Sequence, residues 1–244
     1  MVNFTGGAYH RRNMPLRTLF LDAGGVLVMP NWQRVSEGLD RHGVAVQASV
    51  LAAAEHPAKR ELDTADRIRT TTDDKRGWVY FHLVLAHAGI TRSPGTDAAL
   101  AELRTYHDTH NLWESVPEDV PEALARFRRL GLRLVVVSNA NGTVRAKLTG
   151  VGLAPFFEAI LDSQEEGVEK PDPRLFERAL VRAGAAREET LHAGDLYEVD
   201  VVGARAAGIA PVLVDRGNLY PDADCPRVAT LLDLADRLES GSLP

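Results

Sequence analysis

The chain has 244 residues, of which 45% are hydrophobic and 25% are charged, and its formal net charge is −6. These values are ordinary for a globular protein, and the length suffices for one domain with an insertion or for two domains. The negative charge argues against nucleic acid or an anionic membrane as the main partner. The only cysteine, Cys225, excludes an internal disulfide and fits a reducing compartment, so we expect a cytoplasmic protein.

The N-terminal residues and the apolar runs give no sign of export or membrane insertion. No apolar run approaches the roughly 20 residues that a membrane helix needs. Residues 1–14 contain His10-Arg11-Arg12 but no apolar segment, which is not typical of a secretory signal. We interpret residues 1–14 as an N-terminal tail and assign them no function.

The first predicted strand covers residues 18–21 and delivers Asp22 into the turn Ala23-Gly24-Gly25. A carboxylate at this place leaves a sheet at its carboxyl edge, where α/β folds bind ligands. The glycines allow backbone amides to approach a bound anion, since no Cβ is in the way. The pattern is typical of a nucleophile, but an aspartate that only caps a turn would look the same.

Two different patterns follow along the chain. Residues 31–116 show helical periodicity and almost no strand-like run, whereas residues 117–244 alternate helix and strand. In the alternating region we predict helices over 118–130, from about 143, over 173–183, around 199–206 and over 229–238, and strands over 133–137, 157–161, 190–193 and 211–214. Continuous apolar strands separated by helices predict an α/β fold with a parallel sheet covered on both faces.

Polar residues follow the strands of this alternating region. Ser138 and Asn139 end one strand, Lys170 precedes Pro171 and a helix, and Asp195 ends another strand five residues before Asp200. A hydroxyl beside a helix N-terminus can bind an anion, although helix capping explains the same residues. A lysine before a proline is commonly a solvated residue, and the helix dipole favours an acid in the first helical turn. Each pattern is weak alone.

Taken together and in this order, Asp22, Ser138, Lys170 and the Asp195–Asp200 pair resemble the four motifs of the haloacid dehalogenase (HAD) superfamily of phosphohydrolases. The resemblance covers nearly the whole chain after about Pro15. It implies a Rossmann-like, doubly wound parallel sheet.

The resemblance also implies how the chain is divided. Residues 15–30 and 117–244 would form the core, and residues 31–116 would be an inserted helical cap of the first cap class. The cap would set substrate specificity, but the sequence does not rank its residues.

The resemblance implies a role for each motif residue. Asp22 would attack phosphorus and form an aspartyl-phosphate, since an ionised carboxylate is already a nucleophile. Ser138 and Asn139 would hold the oxygens of the transferring phosphoryl group. Lys170 would neutralise charge on Asp22 and on those oxygens as a compact point charge.

A magnesium site is implied by the same motifs. Mg²⁺ prefers oxygen ligands in near-octahedral geometry and keeps several waters. Asp22, the backbone carbonyl of Gly24 and Asp195 would supply such ligands. Asp200 would either bind the ion through a water molecule or orient Lys170.

Gly24 departs from the family pattern. Most HAD phosphatases carry there a second aspartate, which protonates the leaving group and then activates water. General acid–base assistance is typically worth about 10²–10⁴-fold in rate. We therefore expect either a substrate with an activated leaving group or a proton donor from the cap, with His82, His87 and Tyr80 as unranked candidates.

Three interpretations remain open. The first is a Mg²⁺-dependent phosphohydrolase acting on a small phosphorylated or activated metabolite, as a monomer or a homodimer. The second is a dehalogenase or phosphonate-type hydrolase, because such relatives also lack the second aspartate. Dehalogenases, however, need no metal and carry an aromatic residue where Gly24 stands. The third is a catalytically quiet protein that binds a phosphorylated ligand or a partner.

Overall fold

The computed structural model of the protein describes residues 16–243. The tail predicted for residues 1–14 lies outside the described residues. Among the described residues, no helix is both long enough and apolar enough to cross a membrane.

Within residues 16–243, eight strands form one large and one small sheet. They are β1 (Thr18–Leu21), β2 (Met29–Pro30), β3 (Trp113–Ser115), β4 (Arg133–Ser138), β5 (Ala159–Asp162), β6 (Thr190–Gly194), β7 (Ala210–Val214) and β8 (Arg227–Val228). The large sheet has the order β5-β4-β1-β6-β7-β8, and all its neighbouring strands are parallel. The predicted α/β fold with a parallel sheet is confirmed.

Helices surround this sheet and fill the stretch between β2 and β3. They are α1 (Trp32–Arg41), α2 (Ala48–Leu62), α3 (Ala65–Thr70), α4 (Asp73–His87), α5 (Pro94–His110), α6 (Asp119–Arg129), α7 (Val144–Gly150), α8 (Ser163–Glu166), α9 (Pro173–Ala183), α10 (Val202–Ala206) and α11 (Leu231–Glu239). A turn of π-helix, Tyr197–Val201, leads into α10.

The two faces of the large sheet carry separate hydrophobic cores. Leu19 and Leu21 of β1 pack in a cluster with Phe127 of α6, whereas Phe20 packs in another cluster with Phe176 of α9. Successive side chains of a strand point to opposite faces, so a strand buried on both sides must be apolar throughout. The sheet is therefore doubly wound, as the continuous apolar runs predict.

Helices α1–α5, here called the helical segment, pack around a third core. It includes Leu39, Leu51, Phe81 and Leu103, and β2 and β3 pair antiparallel where the chain leaves the large sheet and returns to it. The division into a cap over residues 31–116 and a core over the rest stays a prediction.

The observed elements that differ most from the prediction are short strands and helices. The strand predicted over 157–161 begins at Ala159, because a 3₁₀ turn over Ala154–Phe156 comes first. The strand β8 has two residues and the helix α8 has four. Elements of this length carry too few residues for a periodicity.

Phe127 of α6 tests the core of the large sheet. This side chain is fully buried, so Phe127→Ala should lower the free energy of unfolding by about 3–5 kcal/mol through lost burial and a cavity. Val181→Ala, at a site that is 83% exposed on α9, is the matched control and should change it by less than about 0.5 kcal/mol. Urea denaturation followed by circular dichroism measures both, and equal effects would contradict the packing described.

Candidate active site

The predicted polar residues meet at the carboxyl edge of the large sheet. Asp22 directly follows β1, and Asp195 directly follows β6, which lies beside β1. Ser138 ends β4 on the other side of β1. The chain crosses from β1 to β4 on one side and later reaches β6 on the other, and such a switch point is where open α/β sheets bind ligands.

The turn after β1 fits tightly against Asp195. The carbonyl of Ala23 accepts hydrogen bonds from the backbone N–H groups of Leu27 and Val28 at 2.9 and 3.0 Å, which closes the turn. Gly25 has a φ of 75°, and a Cβ at this position would overlap the carboxylate of Asp195. Only glycine combines this backbone conformation with so close an approach.

Lys170 is the cation at the centre of the site. It is fully buried, and its Nζ lies 2.7 Å from Oδ1 of Asp200 and 3.0 Å from Oδ1 of Asp22. Asn139 holds its backbone: the side-chain Oδ1 accepts the N–H of Lys170 at 2.7 Å, and Nδ2 donates to its carbonyl at 2.9 Å. The side chain of Asn139 is thus committed to Lys170.

Asp200 accepts hydrogen bonds with both of its carboxylate oxygens. Oδ1 accepts from Lys170 and from Nε2 of His192 at 2.7 and 2.9 Å. Oδ2 accepts from the backbone N–H groups of Asp195 and Leu196, each at 3.1 Å. Asp200 therefore fixes Lys170 and the loop that follows β6 at the same time.

His192 extends this network into the core. It is buried, its ring lies edge-on to Phe176 with centroids 4.9 Å apart, and Nε2 points at a carboxylate. Burial lowers the pKa of His192, and the contact with Asp200 opposes this only in part. Of the two neutral tautomers, the one with its proton on Nε2 donates to Oδ1 of Asp200. The sequence shows only a histidine inside a predicted strand, so this contact was missed.

The pKa values of the network reflect crowded buried charge. Burial raises the pKa of Asp22 to about 7, against the attraction of Lys170 and with added repulsion from Asp200 and Asp195. Burial also opposes the charge on Lys170. The attraction of Asp200 and Asp22 outweighs this effect, so the pKa of Lys170 is raised. For Asp200, burial is outweighed by Lys170 and His192, so its pKa is lowered.

A second cation reaches the site from the helical segment. Lys59 of α2 forms an ion pair with Oδ2 of Asp195, and its side chain is 15% exposed. Burial opposes its charge, but Asp195 and Glu55 outweigh this effect and raise the pKa of Lys59. Sequence reasoning missed Lys59 because nothing in a helical pattern indicates a partner so far along the chain.

The carboxylates are arranged as a metal site requires. Asp22, Asp195 and Asp200 each offer an oxygen, and these oxygens lie within 4.8 Å of one another. Three carboxylates face two ammonium groups, from Lys170 and Lys59, so one negative charge is left over when all are ionised. A hard divalent cation with oxygen ligands fits this donor set.

A cavity of about 630 Å³ opens over these residues. Within the described part of the chain, its lining includes Asp22, Gly24, Asn139, Lys170 and Asp195 but not Ser138. The Ser138 hydroxyl is buried and donates to the carbonyl of Asn139 at 3.4 Å. The structure thus gathers most of the predicted site residues around one cavity and places Ser138 beside it.

Aromatic rings from the helical segment and from β3 line the same cavity. They are Trp78, Tyr80, Phe81, His107 and Trp113. Among the described residues that line it, neither His82 nor His87 occurs, and His87 contacts Glu61 at 3.0 Å instead. Tyr80 does line the cavity, but burial holds its pKa well above its usual value, so it is a poor proton donor.

Asp63 at the end of α2 joins the helical segment to the segments that follow β6 and β7. Its carboxylate accepts the backbone N–H groups of Tyr197 and Glu198 at 2.6 and 3.1 Å and the hydroxyl of Tyr220 at 2.5 Å. Burial raises the pKa of Asp63 to about 6 in spite of these hydrogen bonds. A second contact joins the N–H of Asp73 to Glu169 at 3.0 Å. The helical segment therefore covers the cavity.

A family model of haloacid dehalogenase-like hydrolases matches residues 16–208. The chain therefore belongs to this hydrolase family. The match includes every site residue described above, from Asp22 to Asp200.

Similar proteins include two phosphatases. Over 170 residues the chain is 32% identical to glyceraldehyde 3-phosphate phosphatase from Methanopyrus kandleri, which covers 65% of this chain and 72% of that protein. Over 101 residues it is 50% identical to phosphoserine phosphatase from Thermus thermophilus. That second match covers 40% of this chain and only 41% of the length of that phosphatase.

A solved structure supports the same fold. The HAD-hydrolase YfnB from Bacillus subtilis, crystallised with magnesium, superposes with a TM-score of 0.68 at 20% identity. The superposition covers 92% of this chain and 99% of that one. At this level of identity the likeness concerns the fold alone.

The ion pair of Lys170 and Asp22 predicts that replacing Lys170 lowers the free energy of unfolding by an amount that depends on pH. Because folding raises the pKa of Asp22 from 3.8 to about 7, its contribution is complete below about pH 4 and is lost as pH rises through 7. Lys170→Met removes the cation that opposes this shift and strands two carboxylates. We expect a loss of about 3–5 kcal/mol at pH 8 and a smaller loss at pH 5, where Asp22 is protonated.

Urea denaturation at both pH values, with a chelator present, measures this difference. Lys75→Met, which removes an exposed lysine of α4, is the control and should have almost no effect at either pH. An equal loss at pH 5 and pH 8 would show that Asp22 is not coupled to Lys170.

Proposed function

We propose that this protein is a Mg²⁺-dependent phosphohydrolase that acts on a small phosphorylated metabolite through an aspartyl-phosphate on Asp22. The observation that carries the proposal is the position of Asp22 at the carboxyl edge of the sheet, 3.0 Å from the buried ammonium of Lys170. The names of the two similar phosphatases support it. The two phosphatases are named for different metabolites, so the phosphoryl group is the part that their substrates share. Their names therefore support a phosphorylated substrate without indicating the rest of the molecule.

Asp22 is held ready for attack. Its Oδ1 accepts the N–H of Ala23 at 2.7 Å and contacts Lys170, which leaves Oδ2 to form a bond to phosphorus. As this bond forms, the bond from phosphorus to the leaving oxygen breaks, and the oxygen keeps the electron pair. Water then hydrolyses the acyl phosphate and releases phosphate and Asp22.

Lys170 stabilises charge in both steps. Its proton is retained because Asp200 and Asp22 raise its pKa, so it acts as a fixed positive charge beside the phosphoryl oxygens. Asp200, His192 and the side chain of Asn139 hold it in place. The backbone N–H of Asn139, just after β4, is proposed to donate to the phosphoryl oxygens. The Ser138 hydroxyl is proposed to do the same after turning from the carbonyl of Asn139, to which it donates at 3.4 Å.

Asp22, the backbone carbonyl of Gly24 and Asp195 are proposed to hold the Mg²⁺. When bound, the ion would supply the positive charge that keeps Asp22 ionised near neutral pH and offsets charge on the phosphoryl group. Asp200 is better suited to orient Lys170 than to bind the ion directly, since four donors already occupy its oxygens.

A second candidate function is the hydrolysis of a carbon–halogen bond. The ion pair of Lys59 with Asp195 favours it, because this ammonium partly neutralises the acidic cluster without a metal. The same Asp22 would attack carbon instead of phosphorus. Activity on halo-acids that survives a chelator would support this candidate, and metal-dependent turnover of phosphate esters would exclude it as the main function. The cytoplasmic location, and the choice between monomer and homodimer, stay predictions.

Asp22→Asn tests the nucleophile. The amide keeps the shape but is no nucleophile, so turnover of an activated phosphate ester should become undetectable while the circular dichroism spectrum is unchanged. With Mg²⁺ and beryllium fluoride, the fluorine NMR spectrum of the wild type should show a bound phosphate mimic, and that of Asp22→Asn should not.

Asp66→Asn is the matched control, because this acid on α3 is largely exposed. It should retain both the activity and the bound mimic. Activity in purified, folded Asp22→Asn would end the covalent mechanism, and absence of both signals in the wild type would favour the catalytically quiet protein.

Lys59 and Mg²⁺ should compete for Asp195. Lys59→Met removes a largely buried positive charge from the cluster, so the Kd for Mg²⁺, measured by calorimetry, should fall about tenfold or more. Asp195→Asn should weaken binding, and Lys75→Met, at an exposed site, should leave it unchanged. Unaltered affinity in Lys59→Met would show that the ion binds away from Asp195.

A further inference from the structure

Trp113 occupies the space beside Gly24. A Cβ built on Gly24 would lie 3.4 Å from both Cδ1 and Nε1 of the Trp113 indole. A Cβ at this distance would be in ordinary van der Waals contact with the ring, so a side chain at position 24 would share its space with the indole. The side-chain group that lies against position 24 is thus an indole from β3, where most members of the family carry a carboxyl group.

The indole nitrogen is available to a ligand. Trp113 lines the cavity, and within residues 16–243 no hydrogen bond engages its Nε1. An indole N–H donates a hydrogen bond but does not release its proton near neutral pH. It can stabilise negative charge on a leaving oxygen, yet it cannot protonate that oxygen.

Trp113 belongs to a continuous aromatic wall. Its ring centroid lies 5.6 Å from that of His107, 5.8 Å from that of Phe81 and 6.0 Å from that of Tyr80. Trp78 joins the same cluster through Phe81 at 5.4 Å. All five rings line the cavity that also contains Asp22. A flat aromatic group gains both burial and ring–ring contacts against such a wall.

We infer that the substrate is an aryl or heteroaryl phosphate whose ring packs on this wall and whose bridging oxygen accepts a hydrogen bond from Nε1 of Trp113. This inference rests on the proposed phosphohydrolase activity and specifies its substrate class. The cavity of about 630 Å³ has room for such a ring with substituents.

The chemistry of the leaving group agrees with this choice. Oδ2 of Asp22 forms the new bond to phosphorus, the bond between phosphorus and the aryl oxygen breaks, and the electron pair stays on that oxygen. The ring delocalises the resulting charge, and the oxygen takes a proton from water only after release. Such a weak base leaves without protonation in a loose transition state, whereas an alkoxide does not.

A series of phosphate esters with graded leaving-group pKa tests the inference. In the wild type with Mg²⁺, kcat/KM should fall steeply as the leaving-group pKa rises, and phenyl phosphate should exceed propyl phosphate by about 100-fold or more. By calorimetry, phenylphosphonate, which is not hydrolysed, should bind about tenfold more tightly than propylphosphonate.

Trp113→Phe separates the hydrogen bond from the ring contact. It should keep the preference for phenylphosphonate but lower kcat for aryl esters about 3- to 30-fold, most for the poorest leaving groups. Trp32→Phe makes the same chemical change at a tryptophan that, among the described residues, is not part of the cavity lining but packs on two rings of the wall, with centroids 6.2 Å from Tyr80 and 6.1 Å from Phe81. It controls for disturbance of the wall and should leave the slope of kcat/KM against leaving-group pKa unchanged.

Two further variants exploit the contact between Trp113 and Gly24. Gly24→Asp alone should change the slope of kcat/KM against leaving-group pKa little, because the indole restricts where the new carboxyl group can lie. When Gly24→Asp is combined with Trp113→Ala, the new carboxyl group gains room to act as an acid. The slope of kcat/KM against leaving-group pKa should then be flatter in the double variant than in Trp113→Ala alone.

The outcomes separate this inference from the proposed function. A wild type that turns over no ester and binds no beryllium fluoride would overturn the proposed function. A wild type that forms the adduct but treats alkyl and aryl esters alike, or binds both phosphonates equally, would overturn only the substrate class. A leaving-group slope unaffected by Trp113→Phe would remove Nε1 as the donor.

Discussion

The site depends on one buried ammonium group. Lys170 is removed from water, and only its two carboxylate partners, Asp22 and Asp200, make that burial tolerable. The same contacts place the nucleophile, anchor the loop after β6 through Asp200, and tie the end of β4 to the site through Asn139. The side chain and the backbone of Lys170 thus contact groups that follow three neighbouring strands, β4, β1 and β6, which the sheet already pairs.

The sequence predicted the α/β sheet for a physical reason: strands that are buried on both faces must be apolar throughout. The carboxyl ends of parallel strands lie at one edge, so Asp22, Ser138 and Asp195, at or next to strand ends, were expected near one another. Lys170 and Asp200 follow no strand directly, and only the resemblance to the family placed them at the same edge. The role expected for Asn139 at the phosphoryl oxygens stays a prediction for its backbone, because its side chain holds Lys170, a contact that the motif alone does not reveal.

Contacts between the helical segment and the sheet could not be predicted in this way. Lys59 and Trp113 lie in segments whose local pattern is an ordinary helix and a two-stranded link, and their importance arises from partners distant in sequence. Periodicity shows which face of a helix is buried, but not which charged residue crosses to another element. For the same reason, the candidate proton donors His82 and His87 could not be excluded from the sequence.

Asp63 makes the attachment of the helical segment dependent on pH. Its carboxylate is buried against Tyr197, Glu198 and Tyr220, and burial raises its pKa to about 6 in spite of three hydrogen bonds. A carboxyl group whose pKa is raised by folding adds stability while it is protonated, and this contribution is lost as pH rises through the folded pKa. The contact between the end of α2 and the segments that follow β6 and β7 is therefore weakest in alkaline solution.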